Sequence, residues 1–181
     1  RVLFRSIPRP DTEVLVEQGL AAIAGKTAPR LVDLGTGSGI VAVTLALARP
    51  DAEVSAVDIS PAALEIARAN AARLGATVRF LAGDWFAPLA GERFDLIVSN
   101  PPYIKEEEKK DMERNVLDYE PHLALFVPDN DPLLYYWHIA HFGKKKLRRN
   151  GHLYFETNAA CGNMVVEMLE EEGYKNIELI Q

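Results

Sequence analysis

The stretch "PRLVDLGTGSGIVAVTLALARP" (Pro29 to Pro50) restricts the fold more than any other part of the chain. It opens with an apolar run too short for a helix, turns through three glycines, and continues as an apolar run that Pro50 stops. A strand apolar on both faces must be covered on both faces, which is the condition of a parallel sheet flanked by helices. Glycines at the strand-to-helix turn permit positive φ and let a ligand lie against bare backbone.

The alternation repeats along the 181 residues. "AEVSAVDIS" reads as a second strand. "SPAALEIARANAARLG" reads as a helix, with Ser60 as N-cap, Pro61 in the first turn and Gly75 beyond its end. "TVRFLAGD" and "RFDLIVSNPPY" supply strands three and four. "DPLLYYWHIAHFGKKKLRRN" predicts one long helix, "GHLYFET" a fifth strand, "CGNMVVEMLEEEG" a helix and "YKNIELIQ" a last strand. Ahead of all these, Thr12 to Ala24 has helical spacing of Val14, Leu15, Leu20 and Ile23 behind an Asp11/Thr12 capping signal. Strands alternating with helices predict an α/β fold, a doubly wound and mostly parallel sheet. Ligands of such sheets sit at the carboxyl ends of the strands, near the point where strand order reverses.

The glycine loop places Asp33, Gly35, Thr36, Gly37, Ser38 and Gly39 at that end of strand one. A nicotinamide-binding loop would read G-x-G-x-x-G; here the third glycine comes one residue early and Ile40 follows. The N–H groups opening the next helix point toward whatever the loop holds. Asp58 ends strand two, where a carboxylate can accept from both hydroxyls of a ribose. After strand three, Asp84 could accept from a base amino group and Trp85 could cover its face.

"SNPPYI", after strand four, is the sharpest signal. Two prolines fix the backbone and remove two N–H donors, leaving carbonyls to face a cavity. The Asn100 side-chain oxygen and the Pro101 carbonyl can then accept both hydrogens of one –NH₂ group. Pro102 holds the turn, and Tyr103 offers a ring to a planar substrate. The implied target is an sp² nitrogen whose lone pair is delocalised, activated by orientation and electrostatics rather than by a strong base.

G-x-G-x-G after an acidic strand residue is the first motif of class I methyltransferases, so a Rossmann-like fold of that class and S-adenosylmethionine as cofactor are expected. "NPPY" occurs in relatives acting on adenine N6, cytosine N4 and glutamine N5. The set "IPRPDTE…DLGTGSG…GDWF…FDLIVSNPPYI…YEP…AL" resembles the peptide chain release factor glutamine N5-methyltransferases. The resemblance implies methyl transfer to the glutamine of the Gly-Gly-Gln motif of release factors. It assigns Gly35 to Gly39, Asp58 and Trp85 to the cofactor, and Asn100 to Tyr103 to the glutamine side chain. Arg9 and Glu13 are expected along the cofactor cleft. Residues 7–181 are expected to form the catalytic domain, truncated at both ends. The family's helical N-terminal recognition domain and a further C-terminal hairpin strand have no counterpart in the chain. "FVPDNDPLLYY" stands where many members carry a glycine-rich segment. Residues 1–6 ("RVLFRS") fit no family pattern and back-translate to an adapter-like string, so an artefact or linker remnant is expected there.

Net charge is −6, which argues against tight binding to a phosphate backbone. An adenine N6-type nucleic-acid methyltransferase is therefore the weaker alternative, beside a fragment that only binds cofactor. "GKKKLRR" (Gly143 to Arg149) is the one basic patch and is expected to serve a helix C-terminus. "KEEEKKDMER" reads as a solvated charged face rather than a partner surface. His138 and His141 lie three apart without zinc-site partners, so no metal is expected. Cys161, the single cysteine, reads as a small buried residue and fits a reducing compartment. No apolar run approaches the roughly 20 residues of a membrane span, so a cytoplasmic monomer without membrane or direct nucleic-acid contact is expected. Glu156, ending strand five, is a candidate to face the site without an assigned role.

Overall fold

The computed structural model describes residues 10–101, 104–105, 126–127 and 131–180. The described residues up to Asn100, together with Lys145–Glu156, form one compact unit. Those of Pro101–Lys144 and from Thr157 onward form a second.

In chain order the larger unit holds α1 (Pro10–Ala22), β1 (Arg30–Leu34), α2 (Ile40–Ala48), β2 (Glu53–Asp58), α3 (Pro61–Leu74), β3 (Arg79–Ala82) and β4 (Phe94–Ser99). Two short strands follow, β5 (Ile104–Lys105) and β6 (Phe126–Val127), paired only with each other. Then come α4 (Leu134–Lys146), β7 (Leu147–Phe155) and α5 (Gly162–Glu171). The main sheet has the order β3-β2-β1-β4-β7, and every neighbouring pair is parallel. Strand order reverses between β1 and β4, which is where ligands of such sheets bind.

Burial explains the elements. β4 is buried along its whole length, and only the first residue of β1 is not fully covered. α1, α2 and Ile23 just beyond α1 set Leu15, Val16, Ile23, Val41 and Leu45 against Leu31, Val54, Leu96 and Val98 of the sheet in one apolar cluster. α3 is bounded as its sequence predicts: the Ser60 hydroxyl accepts from the Ala63 amide, and Gly75 closes the helix at φ 73°. In the second unit, Tyr136, Ile139 and Ala140 of α4 and Val165 and Met168 of α5 are buried. The Tyr174 hydroxyl donates to the Ala140 carbonyl at 2.8 Å.

Three sequence expectations are corrected. The helix drawn to Asn150 ends at Lys146, and the strand drawn from Gly151 starts at Leu147. The run "KKKLRRN" contains no stop signal, so its end is set by tertiary pairing: Leu147 registers with Phe94, and Asn150 adopts a left-handed φ of 58°. An irregularity follows, because Leu96 registers with His152. The strand drawn over "YKNIELIQ" is not formed at 174–180; among the described residues no strand pairs with it. Finally, α1 begins at Pro10 rather than behind Thr12. The Thr12 hydroxyl, freed from capping, donates to Glu156 just beyond β7.

Candidate functional site

The register aligns the carboxyl ends of the strands. Leu34 lies beside Val57 and Ser99, Asp58 beside Ala82, and Ser99 beside Phe155. The glycine loop, Asp58, the "GDW" turn, Asn100 and Glu156 therefore leave the sheet along one rim.

The loop is built from its own backbone. The amides of Gly35 and Thr36 both donate to the Val57 carbonyl, at 2.9 and 3.0 Å, and the Gly39 amide donates to Thr36 at 2.8 Å. All three glycines have positive φ, and Gly39 also serves as the residue preceding α2. A Cβ on Gly39 would come within 2.8 Å of the Ala67 Cβ, so the third glycine lets α2 and α3 approach. Asn70 of α3 donates to the Ser38 carbonyl at 2.9 Å and ties the turn from outside.

Asp33 lies beneath the loop, 2 % exposed. It accepts from the Thr36 hydroxyl at 2.6 Å and the Ala42 amide at 3.3 Å. Burial pushes its carboxyl up to about 6, against the two hydrogen bonds and with help from the Asp58 charge. Asp33 thus holds the glycine loop and the start of α2 through these two bonds.

Asp58 is half-buried and already engaged. Its Oδ2 accepts from the Gly37 amide and its Oδ1 from the Ser60 amide, both at 2.8 Å. A carboxylate has about four acceptor positions, so each oxygen retains one for a hydroxyl. Beside it Ile59 is 60 % exposed, an apolar face at the end of β2 that sequence reasoning passed over. The signal available was an isoleucine between a strand-ending Asp and a helix-capping Ser.

Asp84 is exposed and Trp85 half-buried, whereas Phe86 belongs to the core. Trp85 holds a left-handed φ of 41°, a conformation that costs an ordinary residue about 1–2 kcal/mol. Its ring edge would stand 3.8 Å from a Cβ on Gly35, so the indole borders the glycine loop. Strain kept at such a position is characteristic of sites where the side chain's direction matters.

Asn100 is half-buried at the end of β4, and Pro101 is buried. The preceding Ser99 has no exposed surface, and its hydroxyl donates to the Leu34 carbonyl at 2.7 Å, locking the end of β4 to that of β1. Pro102, Tyr103, Arg9 and the charged run beyond Lys105 lie outside the described residues; Glu13 is exposed on α1. Ser99 and Asn70 were given no role from sequence: Ser99 heads "SNPPYI", but the reading there turned on Asn100 to Tyr103, and Asn70 stands in no motif.

The features set apart from the site are accounted for locally. His141 stacks on Trp137, with ring centroids 4.9 Å apart, and its Nδ1 lies 3.1 Å from Glu172. His138 lies 4.7 Å from the Phe142 ring. Cys161 is buried. In the basic run, Lys144 donates to the Glu172 carbonyl, Lys146 to that of Leu89, and Arg148 to Asp95. Among the described residues, no helix is long and apolar enough to cross a membrane.

Similarity to known proteins agrees with this layout. The chain is 49% identical to a release factor glutamine methyltransferase of Bacteroides thetaiotaomicron over 177 residues, and 46% identical to one of Bordetella pertussis over 172. The matches take in 97% and 94% of the chain but 63% of each relative, so the chain spans about three fifths of their length. Among solved structures, a ribosomal protein L11 methylase of Lactobacillus delbrueckii matches with TM-score 0.65 at 21% identity, covering 96% of this chain and 74% of that one. The 16S rRNA N2 G1207 methyltransferase of Thermus thermophilus matches with TM-score 0.66 at 22% identity, covering 94% and 40%. These two carry the fold, which is the Rossmann-like fold of class I methyltransferases. The sequence model of the methyltransferase small domain matches residues 10–119, a span that runs from α1 through the glycine loop and beyond Asn100, and the chain belongs to that family.

Proposed function

We propose that the protein transfers a methyl group from S-adenosylmethionine to the side-chain amide nitrogen of the glutamine in the Gly-Gly-Gln motif of peptide chain release factors. The observation carrying this reading is Asn100, placed at the rim of the glycine loop by the Ser99 bond that ties the end of β4 to that of β1, in a chain 49% identical to a relative bearing that activity's name. Residues 7–181 are read as the catalytic domain, acting as a monomer in the cytoplasm on a protein substrate, with no nucleic acid, membrane or metal required.

The residues present fit the cofactor. Asp58 retains acceptor positions for two ribose hydroxyls, and Ile59 and Trp85 offer faces to an adenine, with Asp84 placed to accept from its amino group. Asp33, Gly35, Thr36, Gly37, Ser38 and Gly39 form the loop that would lie against the amino-acid portion, and Asn100 borders it. The cofactor supplies an electrophilic methyl on a sulfonium. This chain's residues supply orientation: Asn100 and Pro101 accept both amide hydrogens, so the nitrogen lone pair turns away from them, and Pro102 and Tyr103 confine the side chain. The new N–C bond takes the nitrogen's electron pair, the S–C pair stays on sulfur, and one amide proton leaves to solvent.

Incubation with methyl-labelled cofactor and a release factor tests the reading. Label should appear on the wild-type factor and vanish from its motif Gln→Ala variant. Label that persists on the variant, or appears on nucleic acid instead, would overturn it.

A further inference from the structure

Asn100 is held by more than its own turn. The Glu156 amide donates to the Ser99 carbonyl at 3.1 Å, the last rung between β7 and β4. The Glu156 side chain turns to α1, where its Oε2 accepts from the Thr12 hydroxyl at 2.8 Å. Thr12 is 8% exposed and Glu156 7%, and 144 positions separate them in sequence. Burying a carboxylate is costly, and replacing buried ionic groups by apolar ones is often neutral or stabilising. α1 does not need the bond to stay on the sheet, because Leu15 and Val16, with Ile23 just beyond it, already anchor it in the core. A threonine at a helix start would ordinarily cap it; here α1 begins at Pro10 and the hydroxyl is spent on a strand end instead.

We propose that Thr12 and Glu156 are positioning residues for the methyl acceptor: their hydrogen bond fixes α1 to the end of β7, and the Glu156 amide passes that constraint to Ser99, the residue before Asn100. The proposal rests on the function given above and adds to it a role for the "PDTE" segment in placing the acceptor amide rather than the cofactor.

Thr12→Val keeps the shape and removes the hydroxyl, Thr12→Ser keeps the hydroxyl, and Glu156→Gln keeps an acceptor for it. In Thr12→Val, KM for the release factor should rise about tenfold, the order expected for one charge-assisted hydrogen bond. Thr12→Ser and Glu156→Gln should stay within about threefold of wild type, and the cofactor Kd should hold within about twofold in all three. Equal KM in Thr12→Val and Thr12→Ser, or a cofactor Kd that moves in step with KM, would overturn the positioning role. A wild-type protein that leaves the glutamine unlabelled would instead overturn the proposed function. In that case hydrogen exchange at the Glu156 amide decides the strut: roughly tenfold faster in Thr12→Val than in Thr12→Ser supports it, and equal rates reject it.

Discussion

Replacing Gly39 by alanine should damage the fold through two separable terms. At φ 81° an L-residue costs about 1–2 kcal/mol. The added Cβ would meet the Ala67 Cβ at 2.8 Å and the Ala67 Cα at 3.2 Å, and over-packing of this kind costs about 1–3 kcal/mol. Stiffening of the unfolded chain returns about 0.4–1 kcal/mol, so Gly39→Ala should lose about 1–4.5 kcal/mol. The terms separate in a double-mutant cycle with Ala67→Gly, which opens the space but leaves φ unchanged. Urea denaturation of wild type, both single variants and the double variant should give a favourable coupling of about 1–3 kcal/mol, the steric part alone. Additive losses would mean that the glycine is required for its backbone angle only. A loss below about 0.5 kcal/mol in Gly39→Ala, within the scatter of ordinary surface changes, would refute the close-approach argument itself.

Four further outcomes follow from the same geometry. Because burial raises the Asp33 carboxyl from 3.8 to about 6 in the folded protein, the native state binds the extra proton, so stability should fall by about 2 kcal/mol as pH rises from about 4 to 6; urea midpoints across that range should flatten in Asp33→Asn, and an unchanged slope would assign it elsewhere. Asp58→Ala should weaken S-adenosylmethionine binding at least about tenfold in calorimetry, through two lost ribose bonds and a loosened Gly37. Asn100→Ala should cut kcat for methyl transfer by about a hundredfold, the value of a lost orienting acceptor. Tyr174→Phe should cost about 1 kcal/mol in urea denaturation without touching cofactor binding, since its hydroxyl serves Ala140 alone among the bonds described.

Local chemistry made most of this legible in advance. β1, β2 and β4 announce themselves as apolar runs because both faces are buried, and Ser60 and Gly75 bound α3 because capping is a short-range effect. The rim residues could be read because each follows a strand directly. What could not be read depends on pairing across the sheet. Leu147 becomes a strand residue only because Phe94 lies beside it, and the alternating pattern after Tyr174 has no paired strand among the described residues. Thr12 misleads for the same reason: its capping preference is local, but its hydrogen bond is to a residue at the far end of the chain. Asp58 was read as an acceptor for ribose hydroxyls, and only the folded loop reveals that it also secures Gly37 and Ser60.

The irregular register of β7 has a consequence for assembly. Among the described residues β7 closes one side of the main sheet, and a long unpaired strand row is a template for unwanted growth by added chains. Between Leu147 and His152, however, the strand carries more residues than its partner, with Asn150 in a left-handed turn and the charges of Arg148 and Arg149 beside it. An incoming strand would find an uninterrupted row only along His152–Phe155, shorter than the five or six residues of an average strand. Within the described residues, the distortion that hid the strand's start from sequence reading also leaves β7 too short a regular row for a foreign strand to dock on.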